Sequence, residues 1–274
     1  MSLMTNPETK TEYSIHPDTK MGAISLTVAN LENQLKFYQQ AMGFQLHWRD
    51  GNRAGLGSGG KDFLLLTEEP GLKKYRGVTG LYHVAYVFPN KRELAIAIAR
   101  LFAIKYPNSP TDHIMTKTTY LDDLEGNGIE LYCESPEDGT WHFANGKYES
   151  IRADGSWSNG REALDLEALF QHLKEDDRID APIPPETRIG HVHLHVRNVD
   201  EAVDFYHGIR LRCDGRCQSL PDGLRFCGRI SPPSWPQHLA GRGRSASSAR
   251  RGWTPLFHHR PARSKNVRGC GSPG

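Results

Sequence analysis

The chain has 274 residues, 37% of them hydrophobic and 24% charged, with five cysteines and a formal net charge of +2. That length suits two ordinary domains or one large one, and the composition excludes collagen, a disulfide-stapled mini-protein and a wholly disordered chain. No apolar run approaches the roughly 18 residues of a membrane span and the first twenty residues are polar, so a soluble, cytoplasmic protein with no membrane partner is predicted. The charge averages two unlike pieces. Residues 1–210 carry 22 Lys+Arg against 30 Asp+Glu, whereas residues 211–274 carry 12 Lys+Arg against only Asp214 and Asp222. That C-terminal stretch also holds 24 Gly, Pro or Ser and four of the five cysteines, and neither Glu nor Tyr.

After a disordered N-terminus over 1–13, residues 23–28 alternate apolar with small or polar side chains, the period of a half-buried strand. Asn30 opens a helical pattern through Leu31, Leu35, Tyr38 and Met42, with Gly43 where a helix C-terminus expects glycine. Residues 44–48 and 63–67 read as strands, with the glycine-rich stretch 55–60 turning between them and room for one extra strand. The pattern recurs as a strand over 81–88, a helix over 91–103, and strand pieces at 120–121 and 129–132 joined by the turn 122–128. It recurs again from His191. One constant shift superposes Leu194 on Leu26, Val196 on Val28, Asn198 on Asn30, Phe205 on Phe37 and Tyr206 on Tyr38. So long a spacing signals duplicated modules rather than a solenoid. A helix is predicted over 161–174, with Leu166, Leu169, Phe170 and Leu173 on one face, and then a proline-bearing linker.

His191, His193 and His195 alternate in one strand and so project from one face. Three polar rings are hard to satisfy as core packing, although a solvated strand face with incidental histidines gives the same alternation. His83 occupies in the second repeat the place of His191 in the third, five residues before the strand's last apolar residue, whereas Ala23 fills it in the first. Glu130 lies on the last strand of repeat two. Taken alone, His83 is a hydrogen-bonded strand histidine and Glu130 a solvated edge residue. At equivalent repeat positions of one curved sheet they can converge on one ion.

The strand ending in Val-x-Asn followed by a helix ending in Phe-Tyr resembles the vicinal oxygen chelate superfamily, which includes glyoxalase I, bleomycin-resistance proteins and extradiol dioxygenases. The segments 80–83 (GLYH), 126–132 (GNGIELY) and 190–196 (GHVHLHV) are most similar to its bacterial catechol 2,3-dioxygenase-type branch. The resemblance covers residues 14–209. It implies an α+β fold of repeated βαβββ modules forming cupped mixed sheets, two per domain: a first domain over 14–177, a linker over 178–188, and the start of a third module over 189–209. It further implies a divalent metal at His83, Glu130 and His191, Fe(II) first and Mn(II), Zn(II) or Ni(II) as the other candidates, with His193 and His195 as catalytic or substrate-facing groups. The partners it implies are a small aromatic substrate and O₂, and it allows a homo-oligomer. Pairing modules one and two would leave His191 apart, whereas pairing two with three would bring all three ligands together. Repeat one brings no ligand, with Ala23 on its first strand and Leu64, Leu65 and Leu66 on its last. The implied activity is extradiol ring cleavage, with little or none of it expected of this chain as written, because the break after residue 209 removes the rest of module three. A glyoxalase- or isomerase-type metalloenzyme and a metal-free binding protein of the resistance type are the alternatives.

Repeat three should continue into a Leu-Gly-Phe strand but breaks at Ile209 into the arginine-rich tract. Clustered arginine suggests nucleic acid, and Cys213 with Cys217 suggests zinc, but no second ligand pair follows. A third reading fits better, and with it no nucleic-acid partner is expected. Codons can be chosen for 210–215, 230–239 and 253–262 that, read one base later, give GFDVMG, YHHHRGLNT and GLRYFTIVLP. These restore, in family order, the missing strand, a histidine-rich last strand and the opening strand of a fourth module. Residues 210–274 are therefore expected to be an aberrant basic tail read out of frame.

Overall fold

In the computed structural model, which describes residues 16, 19–73, 75, 78–144, 147–209, 212–213 and 230–231, three helices start from the same local device. Asn30, Asn90 and Asn198 each stand in extended conformation ahead of a helix, and their side-chain carbonyls accept N–H groups of the first turn, at Asn33, at Glu93, and at Asp200 and Glu201. Those N–H groups have no partner inside the helix, which makes asparagine favourable there. The helices are α1 (Leu31–Gln40), α2 (Lys91–Ala103) and α4 (Val199–Gly208); α3 (Leu166–Phe170) is a shorter fourth. The shift that relates the repeats carries both bounds of α1 onto those of α4.

Helices α1, α2 and α4 each follow the first strand of a module. In module one, β1 (Ile24–Val28) pairs in parallel with β4 (Lys61–Glu68), and the sheet continues through β3 (Arg53–Ser58) to β2 (Gln45–Asp50). The glycine-rich stretch expected to turn is therefore mostly strand, with the turn confined to Gly59 and Gly60. Glycine is needed in β3 for close approach: a Cβ on Gly57 would lie 1.8 Å from the Lys61 carbonyl oxygen, and one on Gly55 would meet the Trp48 indole.

Module two and the first strand of module three share a six-stranded sheet of order β12-β6-β7-β8-β5-β13, built from β5 (Gly80–Phe88), β6 (Ser109–Asp112), β7 (Thr116–Asp122), β8 (Gly128–Glu134), β12 (Glu162–Ala163) and β13 (Arg188–His195). Strands β9 (Gly139–Ala144), β10 (Lys147–Arg152) and β11 (Trp157–Ser158) make a separate three-stranded leaf. The helix expected over 161–174 is reduced to α3. Glu162 and Ala163 pair with β6 instead, Asp165 caps the helix at Ala168, and Leu164 and Leu169 are buried, so sheet pairing overrides the helical period at that end.

Modules one and two share one apolar core, in which Phe44 and Phe63 of module one touch the Tyr86 ring of β5 at centroid distances of 5.0 and 5.3 Å. Alternation along β5 divides its faces. Val84, Tyr86 and Phe88 enter that core, while Ala85 and Val87 form a small cluster with Tyr132 on the other face. Strand pairing across modules joins two with three, since β13 runs antiparallel along β5. The disordered segment expected over 1–13 lies outside the described residues. So does the basic tail, except for β14 (Arg212–Cys213) and β15 (Ile230–Ser231), which pair with each other.

Candidate metal centre

Three strands deliver the site by register. Ala85, at the middle of β5, is paired on one side with Glu130 of β8 and on the other with His191 of β13, while His83 lies two residues before it on the same face. Side chains directly opposite in a ladder share a face, so His83, Glu130 and His191 surround the one methyl group of Ala85. Two irregularities tune β13: Gly190 is an extra residue on that strand, and Tyr82 is an extra residue on β5. A Cβ on Gly190 would lie 2.0 Å from the Tyr132 hydroxyl oxygen, so only glycine lets the strand pass over that phenol.

Glu130 Oε2 lies 3.0 Å from His83 Nε2 and 3.2 Å from His191 Nε2, and the two imidazole nitrogens are 3.4 Å apart. Adjacent ligands of an ion bound at about 2.1 Å are themselves roughly 3.0 to 3.4 Å apart in octahedral or tetrahedral geometry, so the triangle has the size of three sites around one cation. The donor set fits too, since two neutral imidazoles and one carboxylate are the ligands of non-heme Fe(II) and also suit other divalent transition metals. Among the described residues this is the cluster of His, Cys, Asp and Glu that could hold an ion. Burial pushes the Glu130 carboxyl up, but the hydrogen bonds and charges of His191 and His83 outweigh it and hold the group well below the usual carboxylate range. The Thr118 hydroxyl lies 3.0 Å from Glu130 Oε1, which leaves Oε2 for the histidines.

Beside the triangle stand two residues that sequence reasoning alone does not single out. Tyr120 is directly opposite Glu130 in the β7–β8 hairpin, its ring 5.6 Å from that of His83. Its hydroxyl is 2.9 Å from His113 Nε2, and His113 Nδ1 faces the Gly160 carbonyl. A carbonyl only accepts, so Nδ1 carries the hydrogen and Nε2 accepts from the tyrosine. Burial, then the Glu130 charge, raises the Tyr120 pKa; burial lowers that of His113. The signal that finds Tyr120 in sequence is the hairpin itself, because a turn centred on Leu124–Gly126 puts residue 120 across from 130.

The other histidines lie farther along β13. The His193 ring stands edge-on to that of His83 at 4.8 Å, and Tyr82 lies 4.8 Å from His193 and 4.6 Å from His195. Burial, reinforced by the charges of His83 and His191, pushes the His193 pKa down to about 3. His195 Nε2 is buried without a hydrogen-bond partner. In module one, Leu65 holds in the β1–β4 ladder the place that Glu130 holds in module two.

Comparison with known proteins adds an independent line. Residues 20–131 match the family described as the Glyoxalase/Bleomycin resistance protein/Dioxygenase superfamily. A protein of Bacillus subtilis (strain 168) named Catechol-2,3-dioxygenase is 37% identical over 196 residues, which are 70% of this chain. The chain spans 65% of the length of that relative. Among solved structures, a lactoylglutathione lyase from Agrobacterium tumefaciens aligns with 43% of this chain and 96% of its own at 19% identity and a TM-score of 0.36. A glyoxalase/dioxygenase from Nostoc punctiforme aligns with 49% of this chain and 99% of its own at 18% identity and a TM-score of 0.36.

Proposed function

Because the chain belongs to the glyoxalase/bleomycin resistance protein/dioxygenase superfamily, we propose that His83, Glu130 and His191 hold a divalent metal, Fe(II) in the first place, for extradiol cleavage of a catecholic ring by O₂. The observation that carries this reading is the triangle of lone pairs around Ala85, set in segments where the chain resembles a protein named for that reaction. Bound there, the ion would bring both substrate oxygens and O₂ to one centre and accept charge from them.

The chain's own groups have separate tasks in this reading. Thr118 orients Glu130 through Oε1. His113, fixed by Gly160, holds the Tyr120 proton at the phenol oxygen beside the carboxylate, where it can be given to or taken from a substrate oxygen. His193 stands edge-on to His83 as a neutral, substrate-facing imidazole, with Tyr82 and His195 on its outer side.

The test is anaerobic loading of the chain with Fe(II), followed by catechol-dependent O₂ uptake. Uptake that requires Fe(II) and disappears in Glu130→Gln supports the reading. Metal binding without O₂ consumption would point to isomerase-type chemistry, and no metal binding to a binding protein. We also infer that the frame shifts near residue 210, and that the modular domains are 14–177 and one beginning at 189. The nucleotide sequence across that codon tests the shift.

A further inference from the structure

We infer that Arg100 is a positioning residue for the metal centre: it pins the segment between α3 and β13, and through that segment sets where His191 stands relative to His83 and Glu130. The inference rests on the metal-site reading for its functional consequence and on packing for its structural part. Arg100 belongs to α2 and is only 4% exposed. Among the described residues no carboxylate pairs with it. Its Nε donates to the Ile179 carbonyl at 2.5 Å, and its Nη2 donates to the Ala181 carbonyl. Its Nη1, without a hydrogen-bond partner, lies against Gly43, where a Cβ would come within 2.1 Å. Gly43 in turn accepts the Ile183 N–H at 3.0 Å.

A buried guanidinium with no carboxylate at ion-pair distance is expensive, and the Asp180 charge, acting from farther off in the same segment, offsets only part of that cost, so the backbone carbonyls must be held in place. The segment that supplies them is held at both ends. Arg92 bonds Asp177, Ser58 Oγ donates to the Thr187 carbonyl at 3.3 Å, and Pro185 packs on Gly59. Thr187 is followed at once by β13, whose Ile189 enters the core and whose third and fourth residues are Gly190 and His191. Residues 177–187 thus form a strap across modules one and two, and its one charged internal anchor is Arg100. Without that donor set, Ile179 and Ala181 lose their partners, the strap can lift, and β13 is left to its ladder with β5.

The experiment uses the full chain and Co(II) as the probe, with affinity read from the visible absorption of the bound ion. Arg100→Leu is expected to weaken Co(II) binding about ten- to a hundredfold, the range for losing a group that orients a ligand. It should bring affinity to that of His191→Ala, and the double variant should bind no more weakly than His191→Ala alone. Arg100→Lys, which keeps a donor, should recover part of the loss. Hydrogen exchange should quicken at 188–195 while 61–68 and 91–103 keep their protection. Cobalt affinity unchanged in Arg100→Leu, or protection lost evenly across all these segments, would overturn the inference. If wild-type chain binds cobalt no better than His83→Ala, the metal-site reading fails instead, and selective exchange at 188–195 still decides whether Arg100 holds the strap. Should Arg100→Leu not fold, the same comparison is made with Arg100→Lys, for which unchanged exchange and affinity would sink the idea.

Discussion

Burying the carboxylate of Glu130 costs several kcal/mol unless partners offset it, and His83, His191 and Thr118 are those partners. The Thr118 hydroxyl has two acceptors at 3.0 Å, Glu130 Oε1 and the Leu131 carbonyl, and gives its single proton to one of them. Thr118→Val keeps the shape and removes that bond. It should lower divalent-metal affinity about ten- to a hundredfold and alter stability by only about 1 kcal/mol, measured by metal titration beside thermal unfolding. Tyr120→Phe makes a different cut, because the phenol is not itself a corner of the triangle. Its expected outcome is a fall in kcat of at least about a hundredfold at unchanged metal content, the usual scale for a proton-transfer group. Neither residue stands out in the sequence by its type, and only the hairpin register points to Tyr120. Histidines and glutamate at equivalent repeat positions announce themselves, whereas a threonine and a tyrosine in a strand are ordinary β-formers until a partner strand is placed beside them.

Strand β13, expected to start at His191, begins three residues earlier at Arg188 and ends at His195, and its effect was hidden as well. Its histidines alternate in sequence, but its register with β5 depends on the extra residue Gly190, forced by the Tyr132 phenol beneath it. Gly190→Ala would place a methyl on that oxygen. We expect an overpacking loss of roughly 1–3 kcal/mol in unfolding free energy, with weaker metal binding because His191 is the next residue. Among the helices, α1 was legible from Asn30 and its apolar period, α2 from its Ala, Ile and Leu content and α4 from the repeat, whereas α3 fell short because β6 claimed the start of its periodic stretch. The end of β8 carries a charge device of its own, where Asp138 meets Lys117 at 2.9 Å and Lys91 at 3.2 Å. Burial raises the Asp138 pKa, but the two lysines outweigh it and the net shift is downward. The folded state therefore binds this proton less readily than the unfolded chain does. The stabilisation is complete above the ordinary carboxylate pKa near 4 and is lost as pH falls through the lower folded value. Asp138→Asn should cost about 0.5–1 kcal/mol at neutral pH, given solvent screening, and should flatten the loss of stability below about pH 4, as followed by urea unfolding across pH.

At the scale of the molecule, the repeat was the most informative reading, since one constant shift carries the cap and both bounds of α1 onto α4. What the repeat could not supply was the partner of each module. Pairing is decided where modules meet, and the strap of residues 177–187 that brings β13 to β5 reads in sequence as a proline-bearing linker. The same repeat says what module three lacks among the described residues. In modules one and two the first strand is paired in parallel with the module's own last strand, through β4 and β8, whereas β13 has only β5. Its helix α4 buries Val203 but leaves Phe205 64% and the C-cap residue Ile209 52% exposed, although their counterparts, Phe37 and the α1 C-cap residue Ala41, are buried. Apolar surface left in water forfeits about 25 cal/mol per Å². On the proposed frame shift, a chain read one base later from residue 210 would carry the strands that cover this helix in the other modules. It should therefore bind less 1-anilinonaphthalene-8-sulfonate, resist limited proteolysis within 189–209, and consume O₂ with catechol faster than the present chain when both are loaded with Fe(II). Equal dye binding, equal cleavage and equal turnover would mean that α4 and β13 need nothing further, and that the working site lies wholly before Arg210.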